Sequence, residues 1–285
     1  MKNTSVTMRP MSANTGMEII GLDLRQPLDE QAYLELRHAL SDSGVICFRG
    51  QDLTPAHHLA FAKRFGDVPP AEFTKTPDGF PEISIIGKEQ DETRNVGGNW
   101  HTDHSFDACA PLGAVLCARE LPQSGGDTLF ANMGAAFDSL SDGLKETLRG
   151  LKAVHAKAQS WHADTRPGRA VDAAELARVD EEFKDRQCVH PAVTRHPETG
   201  REILFVNPTY TSHFEGWSYR ESRPLLDYLF AIATSPENSC RFHWEVGSIT
   251  FWDNRSALHY ALNDYHGQRR IMHRATIYAE GERAG

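Results

Sequence analysis

Several of the chain's 14 histidines stand two residues before an acid, among them His101/Asp103, His162/Asp164, His196/Glu198 and His243/Glu245. Neutral imidazole is a frequent transition-metal ligand, and a non-haem Fe(II) site needs two histidines and one carboxylate on one side of the ion, with the opposite positions free. On an extended strand residues i and i+2 point the same way, so His101 and Asp103 would share an interior with Thr102 outside. The pair alone decides nothing, because 14 histidines and 39 acidic residues give roughly two such pairs by chance. Context separates the four. His162 lies in a polar stretch and His196 precedes Pro197 in a turn-like His-Pro-Glu-Thr-Gly, so both read as solvent residues. His243-Trp244-Glu245 is strand-like, but no second histidine with following arginines stands at a matching position.

For His101 such a partner exists. Phe251-Trp252-Asp253-Asn254-Arg255 leads to His259, and then to Arg269, Arg270 and Arg274 in a strand-like run. Arg270 and Arg274 are an even number apart and so would share one face. Two inward arginines are costly unless they meet anions. Those anions would be either a bound organic acid or structural carboxylates such as Asp253 and Asp264. Other sites are struck off by pattern: no G-x-G-x-x-G after a strand, no Walker loop, no H-E-x-x-H and no G-x-S-x-G.

The elements that must carry these residues are mostly β. Short β-like runs are expected at Glu82–Lys88, Trp100–Phe106, Gly113–Glu120, Asp127–Met133, Leu151–Lys157, Val189–Arg195, Glu202–Asn207, Arg241–Glu245, Ser248–Asp253 and Arg270–Ala279. Glu18–Leu24 and Val45–Arg49 add two more. Helical spacing marks Asp29–Asp42, stopped by Gly44, and Thr54-Pro55 opens a helix that ends at Gly66. Ala135–Leu148 and Tyr219–Ala233 also read as helices. Residues 159–185 are long, charged and poor in apolar period, which reads as a mobile insert and a candidate lid. The pattern is that of a sandwich or barrel with flanking helices in one domain, 1–285.

Composition limits the partners. A formal charge of −9 over 285 residues gives an acidic chain that gains nothing electrostatically from nucleic acid or an anionic membrane. No apolar run approaches the roughly 20 residues of a membrane span, and Met1–Met17 lacks the core of a secretory signal, so a cytoplasmic location is expected. The five cysteines form no C-x-x-C pair and read as reduced, mostly buried thiols.

Trp100-His101-Thr102-Asp103, Gly125-Gly126-Asp127-Thr128, Trp252-Asp253-Asn254-Arg255 with His259, and Arg269–Thr276 together strongly resemble the taurine/2,4-dichlorophenoxyacetate dioxygenase family, from about Met17 to Ala279. The resemblance implies a double-stranded β-helix (jelly roll, cupin-like) and a dioxygenase using Fe(II), 2-oxoglutarate and O2, with succinate and CO2 as co-products. It implies that His101, Asp103 and His259 are the iron ligands, that Thr128 and Arg270 hold the distal carboxylate of 2-oxoglutarate, and that Arg274 meets the acidic group of a small anionic substrate. By the same analogy the chain would be a homo-oligomer, a dimer or tetramer.

The substrate side departs from the taurine pattern. The histidine and tyrosine of that pattern fall on Ala71 and Thr74, and its asparagine falls on Gly97, with Asn99 nearby as a replacement. His104 follows the metal aspartate and would point away from it on a regular strand, leaving it a structural residue or a weak substrate contact. The expected substrate is therefore a sulfonate, sulfate ester or aryloxyalkanoate other than taurine. Taurine itself, a non-catalytic metal or organic-acid binder and a zinc hydrolase are the alternatives.

Overall fold

The computed structural model describes residues 6–71, 74–162 and 173–280. Its central strands are apolar on both faces and lie buried on both sides. From Val45–Phe48, Gly113–Glu120 and Ile249–Asp253, the residues Ile46, Phe48, Val115, Cys117, Ile249 and Phe251 pack with the helices Glu30–Ser43 and Pro55–Lys63. Their alternates Val45, Cys47, Ala114, Leu116 and Trp252 face the other way.

These strands belong to a seven-stranded sheet in the spatial order Thr7–Pro10, Met17–Ile20, Val45–Phe48, Ile249–Asp253, Gly113–Glu120, Arg270–Ile277, Ile83–Lys88. Opposite it lies a sheet of Ser239–Phe242, Thr128–Asn132 and Ala257–Ala261. Phe130, Phe242 and Trp244 from that side meet Trp252 and Met272 to close the inner core. A further sheet joins Thr211–Phe214, Lys152–Ala156 and Gln187–Pro191, and the helix Tyr219–Ala233 packs with Phe214 and Leu258 in an outer layer. Facing antiparallel sheets with helices outside make the jelly roll expected from the sequence.

The helix starts follow local chemistry. The Asp29 side chain accepts from the Ala32 N–H, and Gly44 ends that helix at φ 75, a left-handed conformation open to glycine. Thr54 and His57 form a reciprocal cap ahead of Pro55. Tyr219–Ala233 is a helix over the expected residues.

Elsewhere the structure corrects the sequence reading. Ala135–Leu148 is two helices, Met133–Asp138 and Asp142–Arg149, separated at Ser139-Leu140-Ser141, where the Ser139 hydroxyl bonds the Ala136 carbonyl. Val189–Arg195 divides between Gln187–Pro191 and Val193–Arg195, just after a proline that has no N–H to donate. Trp100–Phe106 is not a strand, for reasons given below. Thr7–Pro10, Thr211–Phe214 and Ala257–Ala261 are strands that the sequence reading did not mark. In the 159–185 segment the helices Gln159–His162 and Ala173–Glu182 are present, while residues 163–172 lie outside the described residues. No helix among the described residues is long and apolar enough to cross a membrane.

Two buried histidines tie layers together and weaken the fold in acid. His58 Nε2 sits 3.1 Å from the Val115 carbonyl, and His155 Nδ1 sits 2.9 Å from the Ser105 hydroxyl; both rings are fully buried. Burial pushes each imidazole down to about 3. Both are neutral when folded, but each takes up a proton once unfolded below a pH of about 6.5. Stability is therefore lost as the pH falls from about 6.5 toward 3, each histidine contributing about 1.4 kcal/mol per pH unit in that window. Denaturant titrations between pH 7 and 4 should show this slope, and His58→Gln should reduce it.

Candidate active site

The iron-ligand candidates arrive from two elements. His101 forms a single antiparallel bridge with His259, which lies on Ala257–Ala261; the two main chains bond each other at 3.1 and 2.8 Å. Beyond His101 the chain turns away from strand geometry. The Thr102 hydroxyl is buried and donates to the Asn254 carbonyl at 2.7 Å, the Asp103 N–H reaches Asn254 Oδ1 at 3.2 Å, and His104 adopts φ 53. The Trp252 indole N–H also donates to Asn254 Oδ1, at 3.0 Å. Asp103 thus joins His101 through a pinned turn rather than through the pleat, and Thr102 points inward.

The ligand atoms of His101, Asp103 and His259 all lie within 4.8 Å of one another, and the three residues are buried. Asp103 Oδ1 stands 3.6 Å from His101 Nε2 and 3.8 Å from His259 Nε2. His101 Nδ1 lies 2.7 Å from the Asn99 carbonyl; donating its proton there leaves Nε2 with a free lone pair. Burial, with His101 beside it, pushes His259 down to about 3, so it too offers a neutral imidazole. Burial alone would raise the Asp103 carboxyl, but His259, Arg274 and His101 hold it well below the usual carboxylate range. Asp103 Oδ2 and His259 Nδ1 are buried without hydrogen-bond partners. Two neutral imidazoles and one carboxylate, with a buried acceptor to spare, fit a divalent iron.

A second group lies along Arg270–Ile277. Arg270 is 6% exposed, and its Nε and Nη2 have no partner. Its guanidinium stands 5.7 Å from the Trp244 ring. The Trp244 indole donates to Thr128 Oγ1 at 2.9 Å, leaving the threonine proton free to be donated onward. Gly126 keeps this space open: at φ 71 it lies where a Cβ would come within 3.1 Å of Arg270 Cδ. Asp253 and Asp264, the structural carboxylates weighed as partners for the arginines, are engaged elsewhere. Asp253 takes Arg255 and His196, and Asp264 takes Arg241 and the Gly126 N–H.

Arg274 shares the inner face with Arg270, as the even spacing required. Its Nη1 lies 3.7 Å from Asp103 Oδ1, and its Nε is buried and unpartnered. Ser84 stands directly opposite in the sheet and accepts from the Thr74 hydroxyl at 3.1 Å, so two hydroxyls lie beside this guanidinium.

The remaining sequence candidates fall into place around these groups. Asn99 contributes a backbone carbonyl that orients His101. His104 Nδ1 lies 3.0 Å from Asp107 Oδ2, within its own turn. His243 pairs at the surface with Asp127. His196 is not a solvent residue: its ring is fully buried 3.0 Å from Asp253 Oδ2, a contact made across 57 residues and invisible to a local turn reading. The side chain of His162 lies outside the described residues. Tyr210 was missed; its ring stands 6.2 Å from that of His101, and only the N–P–T–Y turn preceded it as a signal.

A jelly roll carrying a His-Asp-His face, with one buried and one half-buried guanidinium group beside it, each with an unpartnered donor, has the layout of a non-haem iron oxygenase that takes organic acids. Comparison with known proteins agrees: residues 7–276 match the family described as taurine catabolism dioxygenase TauD, TfdA family. The chain is 33% identical to an alpha-ketoglutarate-dependent sulfate ester dioxygenase of Pseudomonas putida, over 96% of this chain and 89% of that protein. It is 32% identical to an alpha-ketoglutarate-dependent 2,4-dichlorophenoxyacetate dioxygenase of Cupriavidus pinatubonensis, over 95% and 97%. The crystal structure of AAD-2 in complex with Mn(II) and N-oxalylglycine superposes with a TM-score of 0.80 at 27% identity, covering 96% of this chain and 98% of that one. The chain belongs to the TauD/TfdA family and is an Fe(II)- and 2-oxoglutarate-dependent dioxygenase.

Proposed function

We propose that this dioxygenase hydroxylates a small organic anion of the sulfate ester, sulfonate or aryloxyalkanoate type, with His101, Asp103 and His259 as iron ligands. One observation carries the reading: the facial triad and the unpartnered donors of Arg270 and Arg274 occupy one interior, where no carboxylate among the described residues forms an ion pair with Arg270. When bound, iron with 2-oxoglutarate supplies the oxidation, in which substrate C–H, 2-oxoglutarate and O2 become substrate C–OH, succinate and CO2.

The residues of the chain position and protect. Arg270 offers a forked, permanently charged partner to the distal carboxylate of 2-oxoglutarate, and Thr128 adds a hydroxyl donor. Arg274 takes the acidic group of the substrate, with Ser84 directly opposite it in the sheet. The apolar wall of Trp252, Phe130 and Phe106 limits water at the site. Taurine lies outside the preferred set, because Ala71 offers no side-chain polar atom and the Thr74 hydroxyl is already spent on Ser84. A homo-oligomer of two or four copies in the cytoplasm belongs to the same reading by analogy with relatives.

The test is oxygen uptake and succinate formation by the Fe(II)-loaded protein with 2-oxoglutarate, across taurine, alkanesulfonates, alkyl sulfates and aryloxyalkanoates. Stimulation by one of the last three classes with taurine inert is expected. Succinate formation stimulated by taurine alone would overturn the substrate assignment.

A further inference from the structure

Lys157 follows the strand Lys152–Ala156 and is partly buried at the edge of the site. Its ammonium lies 4.9 Å from the Phe106 ring centroid and 6.0 Å from that of Tyr210. Those rings pack edge to face at 4.9 Å, and Tyr210 in turn stands 6.2 Å from the His101 ring. A continuous aromatic wall therefore runs from an iron-ligand candidate to this lysine.

One acid of its surroundings, Asp107, is already occupied. It accepts three bonds from Arg186, at 2.9, 3.0 and 3.2 Å, and lies 3.0 Å from His104. No ion pair joins Lys157 to any carboxylate among the described residues. A lysine ordinarily extends its ammonium into water and keeps only its stem on apolar surface. Here the head itself rests on two rings, and burial, with Arg186 nearby, lowers its proton affinity. Cation–π contact returns only about 0.5–2 kcal/mol. Such a partly desolvated cation, at the end of an aromatic wall that starts at an iron-ligand candidate, is suited to meet an anion that enters with the substrate.

Arg274 and Lys157 stand on different sheets, one on Arg270–Ile277 and the other after Lys152–Ala156. Each has nitrogen donors to spare, and the Tyr210 ring lies in the wall that leads from the iron ligands to Lys157. We propose that Lys157 forms a second anion subsite and that the preferred substrate is a dianion, with one acidic group at Arg274 and a carboxylate or sulfonate at its far end on Lys157. This rests on the assignment of Arg274 to the substrate's first acidic group. It would also supply, from the opposite wall, the polar recognition lost at Ala71 and Thr74.

The experiment uses alkyl sulfates of four to eight carbons and their ω-carboxylated counterparts. Calorimetric Kd values are measured on protein loaded with Mn(II) and N-oxalylglycine, and kcat/KM on the Fe(II) enzyme. The wild type should bind the best dianion at least tenfold more tightly than the matching monoanion. Lys157→Met should collapse that ratio, and Lys157→Arg should restore most of it, with melting temperatures checked for both. Equal binding of the two series by the wild type, a ratio unchanged in Lys157→Met, or binding of neither series would each overturn the subsite. Preferential dianion binding without succinate formation would leave the subsite standing and instead count against the assigned reaction.

Discussion

His259→Ala is expected to abolish iron-dependent conversion of 2-oxoglutarate to succinate, with turnover falling by more than about 100-fold. The loss of a group that merely orients a metal ligand costs about 10–100-fold in affinity or activity, and removal of a ligand should exceed it. Without His259 only His101 and Asp103 remain, and two donors leave the ion one side too weakly held. The fold should survive. The His259 ring packs 4.5 Å from the Trp252 ring in a wall that an alanine still lines, and its buried Nδ1 has no partner to lose. The expected result is a melting temperature close to wild type with sub-stoichiometric iron after dialysis against limiting Fe(II). Full iron content and undiminished turnover in the variant would remove His259 from the site.

How this site could be read from the sequence depended on where each partner lay. Features set by near neighbours were legible: the helix Tyr219–Ala233, the Thr54 cap, the Gly44 stop, and the doubly apolar strands Val45–Phe48 and Ile249–Asp253. Ala257–Ala261 escaped because Ala-Leu-His-Tyr-Ala has no β-branched residue and no clean alternation; pairing with Thr128–Asn132 makes it a strand. His259 was therefore found by its place in a motif, not by its element. His101 and Asp103 were paired correctly on a mistaken premise. They converge because Asn254, some 150 residues on, binds Thr102 and the Asp103 N–H and pins a turn.

The same distance effect hid the electrostatics. Asp253 was weighed as a partner for Arg270 or Arg274, yet it is held by Arg255 two residues away and by His196. Glu198 completes that outer network by joining Arg37 and Arg255. Trp252-Asp253-Asn254-Arg255 thus works as a clamp: the indole and the asparagine hold the metal turn while the aspartate and arginine tie it to the outer layer. Its composition is visible in the sequence, but the division of labour within it is not. The shortage of partners at Arg270 is likewise a property of the whole fold.

That shortage gives Arg270→Met two effects of opposite sign. An arginine 6% exposed with two unpartnered donors adds a desolvation penalty to the cosubstrate-free protein. Leaving such groups unsatisfied costs about 1–3 kcal/mol, so a methionine of similar reach should raise the unfolding free energy by about that amount. With 2-oxoglutarate present the order should reverse. A buried charge pair truncated on one side loses about 2–5 kcal/mol, or roughly 30- to several-thousand-fold in affinity. The KM for 2-oxoglutarate should rise by that factor, with a smaller change in kcat at saturation because the contact proposed for Arg270 is with the end of the cosubstrate away from the metal. The wild type should gain about 2.7 kcal/mol of stability at 100 times its Kd, while the variant gains less than about 1 kcal/mol at the same concentration. Denaturant curves with and without cosubstrate would show the two stabilities crossing. A variant less stable than wild type in both conditions would mean that Arg270 supports the fold rather than the ligand, and an unchanged KM would release the distal carboxylate from this residue altogether.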